Sequence, residues 1–114
     1  MSWDFWMEEE NHTCPTCGRS APPLDYSANY TYNVSPMFYE AFELKDGIRD
    51  LDGKTGEDCI PLLLHAIKAM CFDPKKYKEM NPKNKWGNYE GALKLLQKLL
   101  EWCTDQRTAI MRVG

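Results

Sequence analysis

The chain has 114 residues, of which 43% are hydrophobic and 27% charged, with a net charge of −3. This suits one small globular domain and excludes a disordered or collagen-like chain. No apolar run approaches the roughly eighteen residues of a membrane span. A net-acidic chain is also a poor general ligand for the phosphate backbone.

The elements follow in chain order. Residues 3–8, Trp-Asp-Phe-Trp-Met-Glu, alternate loosely and predict a short strand. The start has neither a basic stretch nor an apolar core, so no signal peptide is expected. Residues 26–34 predict a second strand, with Tyr30 and Tyr32 on one face and Asn29, Thr31 and Asn33 on the other. Ser35 is the expected N-cap of a helix with Pro36 at its first position, running to about Lys45 and ended by Gly47. Its inward residues would be Met37, Phe38, Ala41 and Phe42. The loop 47–56 carries two apolar anchors, Ile48 and Leu51.

A second helix presents Ile60, Leu63, Leu64, Ile67, Met70 and Cys71 at helical spacing. Asp58 is its preferred N-cap, because Pro61 then falls in the first turn. A cap at Thr55 would put Pro61 in the second turn, where a kink is expected. Asp73-Pro74 restarts a short helix with Tyr77 and Met80. Residues 81–87 are rich in turn formers. Asn88 then caps the clearest amphipathic helix, with Tyr89, Ala92, Leu93, Leu96, Leu99, Leu100 and Cys103 on one stripe, widened by Leu95 and Trp102. Residues 108–113 suggest a last strand. The expected class is α+β: a single domain, 1–114, with three or four helices on a small antiparallel sheet of two or three strands.

Cysteine chemistry is the sharpest local signal. Five cysteines, an odd number, argue against a disulfide framework. Cys14-Pro-Thr-Cys17-Gly18 places two thiols on a tight turn, as in half of a tetrahedral zinc site, with His12 near enough to be a third ligand. Residues 1–25 therefore read as a strand followed by a zinc knuckle holding one structural zinc ion. The same pair could instead be free thiols or a redox couple, although the following glycine and prolines make a poor helix N-terminus for a redox cysteine. Cys71 and Cys103 lie on expected inward stripes and read as apolar filler, and His65 as a solvated histidine.

Two further groups invite a ligand. Asn is depleted inside strands, so Asn29 and Asn33 flanking Thr31 either cap the next helix or present amides to a ligand. Residues 75–89 interleave lysines, Lys83 among them, with Tyr77, Trp86 and Tyr89, a pattern that can hold phosphate and stack a base or simply plug the core. No metalloprotease, phosphate-loop, nucleophile-elbow or dinucleotide motif is present in the sequence. The charge is divided: residues 1–58 hold twelve acids and four bases, a net of −8, and residues 59–114 ten bases and five acids, a net of +5. Mutual attraction of the two halves is the simplest reading.

The run Asn29-Tyr-Thr-Tyr-Asn-Val-Ser-Pro-Met37, the run Gly47-Ile-Arg49 with Gly53-Lys-Thr-Gly56, and the run Asn81-Pro with Asn84, Trp86-Gly87 and Tyr89-Glu90 together resemble a family of small phage and prophage proteins. The resemblance spans roughly residues 26–103 and leaves out the cysteine knuckle. It implies a setting, the cytoplasm of a phage-infected or lysogenic bacterial cell, and transfers no catalytic residue. The expected function is a non-enzymatic binding protein that modulates a host or phage protein. Its binding face or frame would be Asn29, Thr31, Asn33, Lys83, Trp86 and Tyr89. The alternatives are capture of a small nucleotide signal used in host defence, and a small enzyme. A protein partner is expected, with self-association as one form of it; nucleic acid and membrane are not.

Overall fold

The computed structural model describes residues 2–8, 26–83, 85 and 87–114. Alternation sets the sheet. In strand β1, Ser2–Glu8, the side chains of Trp3, Phe5 and Met7 are buried while Ser2 and Asp4 are exposed. Strand β2, Ser27–Thr31, pairs antiparallel with β1, setting Trp3 opposite Tyr30 and Asp4 opposite Asn29. The C-terminal strand, Ile110–Val113 and labelled β3, pairs antiparallel on the other side of β1, with Met7 opposite Met111. The order is β2-β1-β3.

The second strand is shorter than its sequence suggests. Thr31 Oγ1 accepts from the backbone N–H of Asn33 at 3.3 Å and from its side-chain amide at 2.9 Å. This local bonding competes with a strand ladder, and Tyr32–Val34 form a single 3-10 turn. That turn runs straight into helix α1, Ser35–Phe42. Val34, not Ser35, therefore holds the N-cap position, and no side chain caps this end. Pro36 sits in the first turn, where its missing N–H matters least. Met37, Phe38, Ala41 and Phe42 are buried as expected. The helix stops earlier than expected, at Glu43, which takes the left-handed conformation with φ 55° and donates its N–H to Tyr39 O at 3.2 Å. Gly47, with φ 60°, opens the next 3-10 turn, Gly47–Leu51, rather than ending the helix. Ile48 and Leu51 in that turn are the two buried anchors.

Helix α2, Gly56–Phe72, departs most from expectation. Its N-cap is Thr55, whose hydroxyl accepts from Asp58 N at 3.2 Å, so Pro61 lies in the second turn of a single helix. The early start has a tertiary cause. Gly56 N donates to Ala109 O at 2.7 Å and Glu57 N to Arg107 O at 2.9 Å, so the chain entering β3 satisfies amides that a helix start leaves open. The buried face is Cys59, Leu63, Ala66 and Met70, about one position round from the expected stripe. Leu64 is 38% exposed and Cys71 is exposed, so Cys71 is not core filler.

Helix α3, Pro74–Lys78, starts where Asp73 accepts from Lys76 N, and buries Tyr77. Helix α4, Tyr89–Asp105, is capped by Asn88, which accepts from Gly91 N at 2.7 Å. It buries Tyr89, Ala92, Leu95, Leu96, Leu99, Trp102 and Cys103, while Leu93 and Leu100 are half-buried. These four helices pack on the Trp3-Phe5-Met7 face of the sheet in one core, an α+β arrangement. α2 lies between α1 and α4. No helix among the described residues is long and apolar enough to cross a membrane.

Candidate functional site

The two edges of the sheet differ. The β3 edge is closed by the segment that leads into α2. Gly53 N donates to Met111 O and Met111 N to Lys54 O, both at 2.8 Å, and Thr55 forms a bridge with Ile110. Asp52 adds a side-chain acceptor for Val113 N at 2.9 Å and lies 3.4 Å from the Arg112 guanidinium. β2 is the other edge, and among the described residues no strand pairs with its outer side. An unpaired edge offers a row of backbone donors and acceptors to any extended chain that approaches.

A groove of about 350 Å³ runs along that edge, between Ala28, Asn29 and Tyr30 of β2 and Gly91, Lys94, Leu95 and Lys98 of α4. Packing holds both walls. The Tyr30 hydroxyl lies 3.3 Å from Asn88 N and 3.4 Å from Asn88 O, tying the strand to the start of α4. A Cβ on Gly91 would stand 2.3 Å from that hydroxyl, so glycine lets the ring lie against the helix. At the far end Tyr26 packs on Trp102, with ring centroids 5.6 Å apart. Lys94 and Lys98 are one helical turn apart and exposed, and among the described residues neither forms an ion pair.

The expected ligand residues take mainly structural places. The Asn29 amide nitrogen lies 3.0 Å from Ser2 Oγ, 3.0 Å from Trp3 O and 2.8 Å from Asp4 Oδ1, so it ties β2 to β1. Thr31 and Asn33 bond each other at the strand end. Tyr89 is buried, and its hydroxyl donates to Met70 O at 2.9 Å. Its phenol is pushed up by that burial. Lys83 is exposed, and Trp86 lies outside the described residues. The two sequence motifs nevertheless meet: a Cβ on Gly87 would stand 2.7 Å from the Thr31 methyl and 2.9 Å from Val34. Asn81 Oδ1 accepts from Tyr89 N at 2.9 Å. Of the expected set, Asn29 alone lines the groove. The residues of its helix wall, Gly91, Lys94, Leu95 and Lys98, carry no motif, and only the lysine pair at i, i+4 beside an apolar helix face hints at them.

A second surface surrounds Phe72, which is 91% exposed at the end of α2. Glu40 there pairs with Lys76, holding the lysine above its ordinary pKa, and His65 lies 2.9 Å from Glu43 on the open surface. His65 is thus solvated, as its sequence position suggested. Inside, Cys59 and Cys103 are both buried. The hydrogen bond with Cys103, then burial, pushes the Cys59 thiol far up. Cys103 is lowered by the hydrogen bond from Cys59, against the effect of burial. Both thiols are buried, and Cys59 Sγ lies 3.8 Å from Leu51 O, so the pair reads as core packing. Cys14, Cys17 and His12 lie outside the described residues. Among the described residues no three His, Cys, Asp or Glu side chains converge as a metal site. No family model, no curated protein and no solved structure matches this chain.

Proposed function

We propose that this protein acts by binding another protein rather than by catalysis, in the cytoplasm of a phage-infected or lysogenic bacterial cell, where it modulates a host or phage protein. The observation that carries this reading is the contrast, among the described residues, between the covered β3 edge and the β2 edge, which has no strand on its outer side and a groove beside it. Burial of Tyr77 and Tyr89 removes two of the three aromatic faces that the nucleotide reading required, which favours a protein partner.

The test is a surface-displayed random-peptide library panned against the purified protein. The expected result is an enriched consensus. The proposal falls if nothing is enriched. It falls too if the protein turns over a substrate and N29A or N33A abolishes turnover with the circular dichroism unchanged. A thermal shift with one member of a nucleotide panel, and with no peptide, would put the nucleotide reading in its place.

A structural zinc ion on Cys14 and Cys17, with His12 as a third ligand, belongs to the same proposal and rests on sequence spacing alone. Native mass spectrometry should show one zinc per chain, lost in the C14S/C17S variant. A native mass equal to the apo mass would remove the site.

A further inference from the structure

We infer that the β2–α4 groove takes an extended acidic segment of a partner protein, which adds to β2 as a fourth strand. This rests on the protein-binding reading above and names its partner chemistry. Three observations converge on it.

The first is the open edge. Both sides of β1 are paired and the outer side of β3 is bridged by residues 53–55, so among the described residues β2 is the strand whose outer backbone donors and acceptors have no strand partner. Strand addition uses such an edge for affinity and the neighbouring wall for side-chain selection.

The second is the shape of the groove. From Gly91 to Lys98 the helix rises about 10 Å, and from Ala28 to Tyr30 the strand advances about 7 Å, so the groove grips roughly three or four residues of an extended chain. Its ends are marked by Asn88, bonded to Tyr30, and by Tyr26 against Trp102. Leu95 is the apolar part of the wall.

The third is charge. Lys94 and Lys98 are the charged residues of the lining, and no described carboxylate pairs with either. The α4 carboxylate nearest in sequence on the N-terminal side, Glu90, is 3.9 Å from Lys78 instead. Two lysines with no carboxylate partner among the described residues, beside a strand edge, favour carboxylates on the incoming segment and disfavour basic ones.

The test uses the full chain and three capped peptides of about ten residues, a strand's length with margin. One alternates valine or threonine with glutamate, one carries lysine in place of glutamate, and one is the acidic peptide with prolines in place of its central valines. The acidic peptide should bind and slow amide exchange in residues 27–31. The lysine peptide should bind at least tenfold more weakly, and the proline peptide, which lacks the N–H donors, should bind equally poorly. In the K94E/K98E variant the order of the acidic and lysine peptides should reverse. Both lysines are exposed and, among the described residues, in no ion pair, so this variant should keep its stability.

Acidic binding without protection in β2, or an order unmoved by K94E/K98E, overturns the inference and leaves the protein-binding reading standing if the library yields a consensus. Failure of all three peptides overturns the inference alone when the library is enriched, and both readings when it is not. A sedimenting dimer with protected β2 amides would make a second copy the occupant and overturn the acidic segment.

Discussion

The G56V variant is expected to lose about 3 kcal/mol of stability or more, because its side chain would overlap backbone that cannot retreat. A Cβ on Gly56 would stand 2.3 Å from Gln106 O, 3.0 Å from Cys103 O and 3.2 Å from the Arg107 Cα. Gln106 is held by its own N–H to Trp102 O at 2.8 Å. Gly56 is held by its N–H to Ala109 O at 2.7 Å. Relief would require α2 to draw away from the end of α4, breaking the amide bonds that start α2. G53A is the control: Gly53 has φ 84° but nothing within 4 Å of a Cβ, so only backbone strain of about 1–2 kcal/mol is expected there. Urea denaturation followed by circular dichroism should rank wild type above G53A and G53A above G56V. A midpoint for G56V at or above that of G53A would show that the close approach is not rigid.

The second large effect is expected at Phe38. Its ring is 1% exposed, 5.5 Å from the Trp3 ring and 6.1 Å from that of Phe42. F38A should cost about 3–5 kcal/mol, from lost burial together with the cavity left between α1 and β1. Set against the roughly 5–15 kcal/mol total of a small domain, that removes much of the margin. F72A removes the same ring from a site 91% exposed and should change stability by no more than about 0.5 kcal/mol. Equal urea midpoints for the two variants would contradict the packing described for α1. The pair also keeps a Phe72 surface separable from the core: a binding loss in F72A with stability intact would place the partner there rather than on β2.

Much of the architecture was legible in the residues. The alternation of Trp3, Phe5 and Met7 marked the central strand. The Asn88 cap and the long apolar stripe marked α4. Asp73-Pro74 marked the restart of a helix. The face of α2 was not legible. Ile60, Leu62, Leu63, Leu64 and Ile67 spread apolar side chains round several sides, because the helix lies between two neighbours. Periodicity then gives no unique phase. Small residues, Gly56, Cys59 and Ala66, take buried positions of α2 beside Leu63 and Met70, and the sequence alone weights them least.

The candidate site divides the same way. Asn29, Thr31, Asn33 and Asn88 stand out in the sequence because polar amides in a strand and at a helix start need partners, and the structure supplies those partners as ties within the fold. The groove was hidden, since its walls come from residues more than sixty positions apart and the helix wall, Gly91, Lys94, Leu95 and Lys98, carries no motif. By itself the sequence determined the approximate place of each helix and strand, the Asn88 cap of α4 and the Asp73-Pro74 restart of α3, because prolines, polar caps and alternation act over a few neighbouring positions; the caps of α1 and α2, at Val34 and Thr55 rather than Ser35 and Asp58, it did not. Tertiary structure decided the start and buried face of α2, the covering of the β3 edge and the groove between β2 and α4. Each depends on which distant backbone groups meet, and local spacing does not encode that.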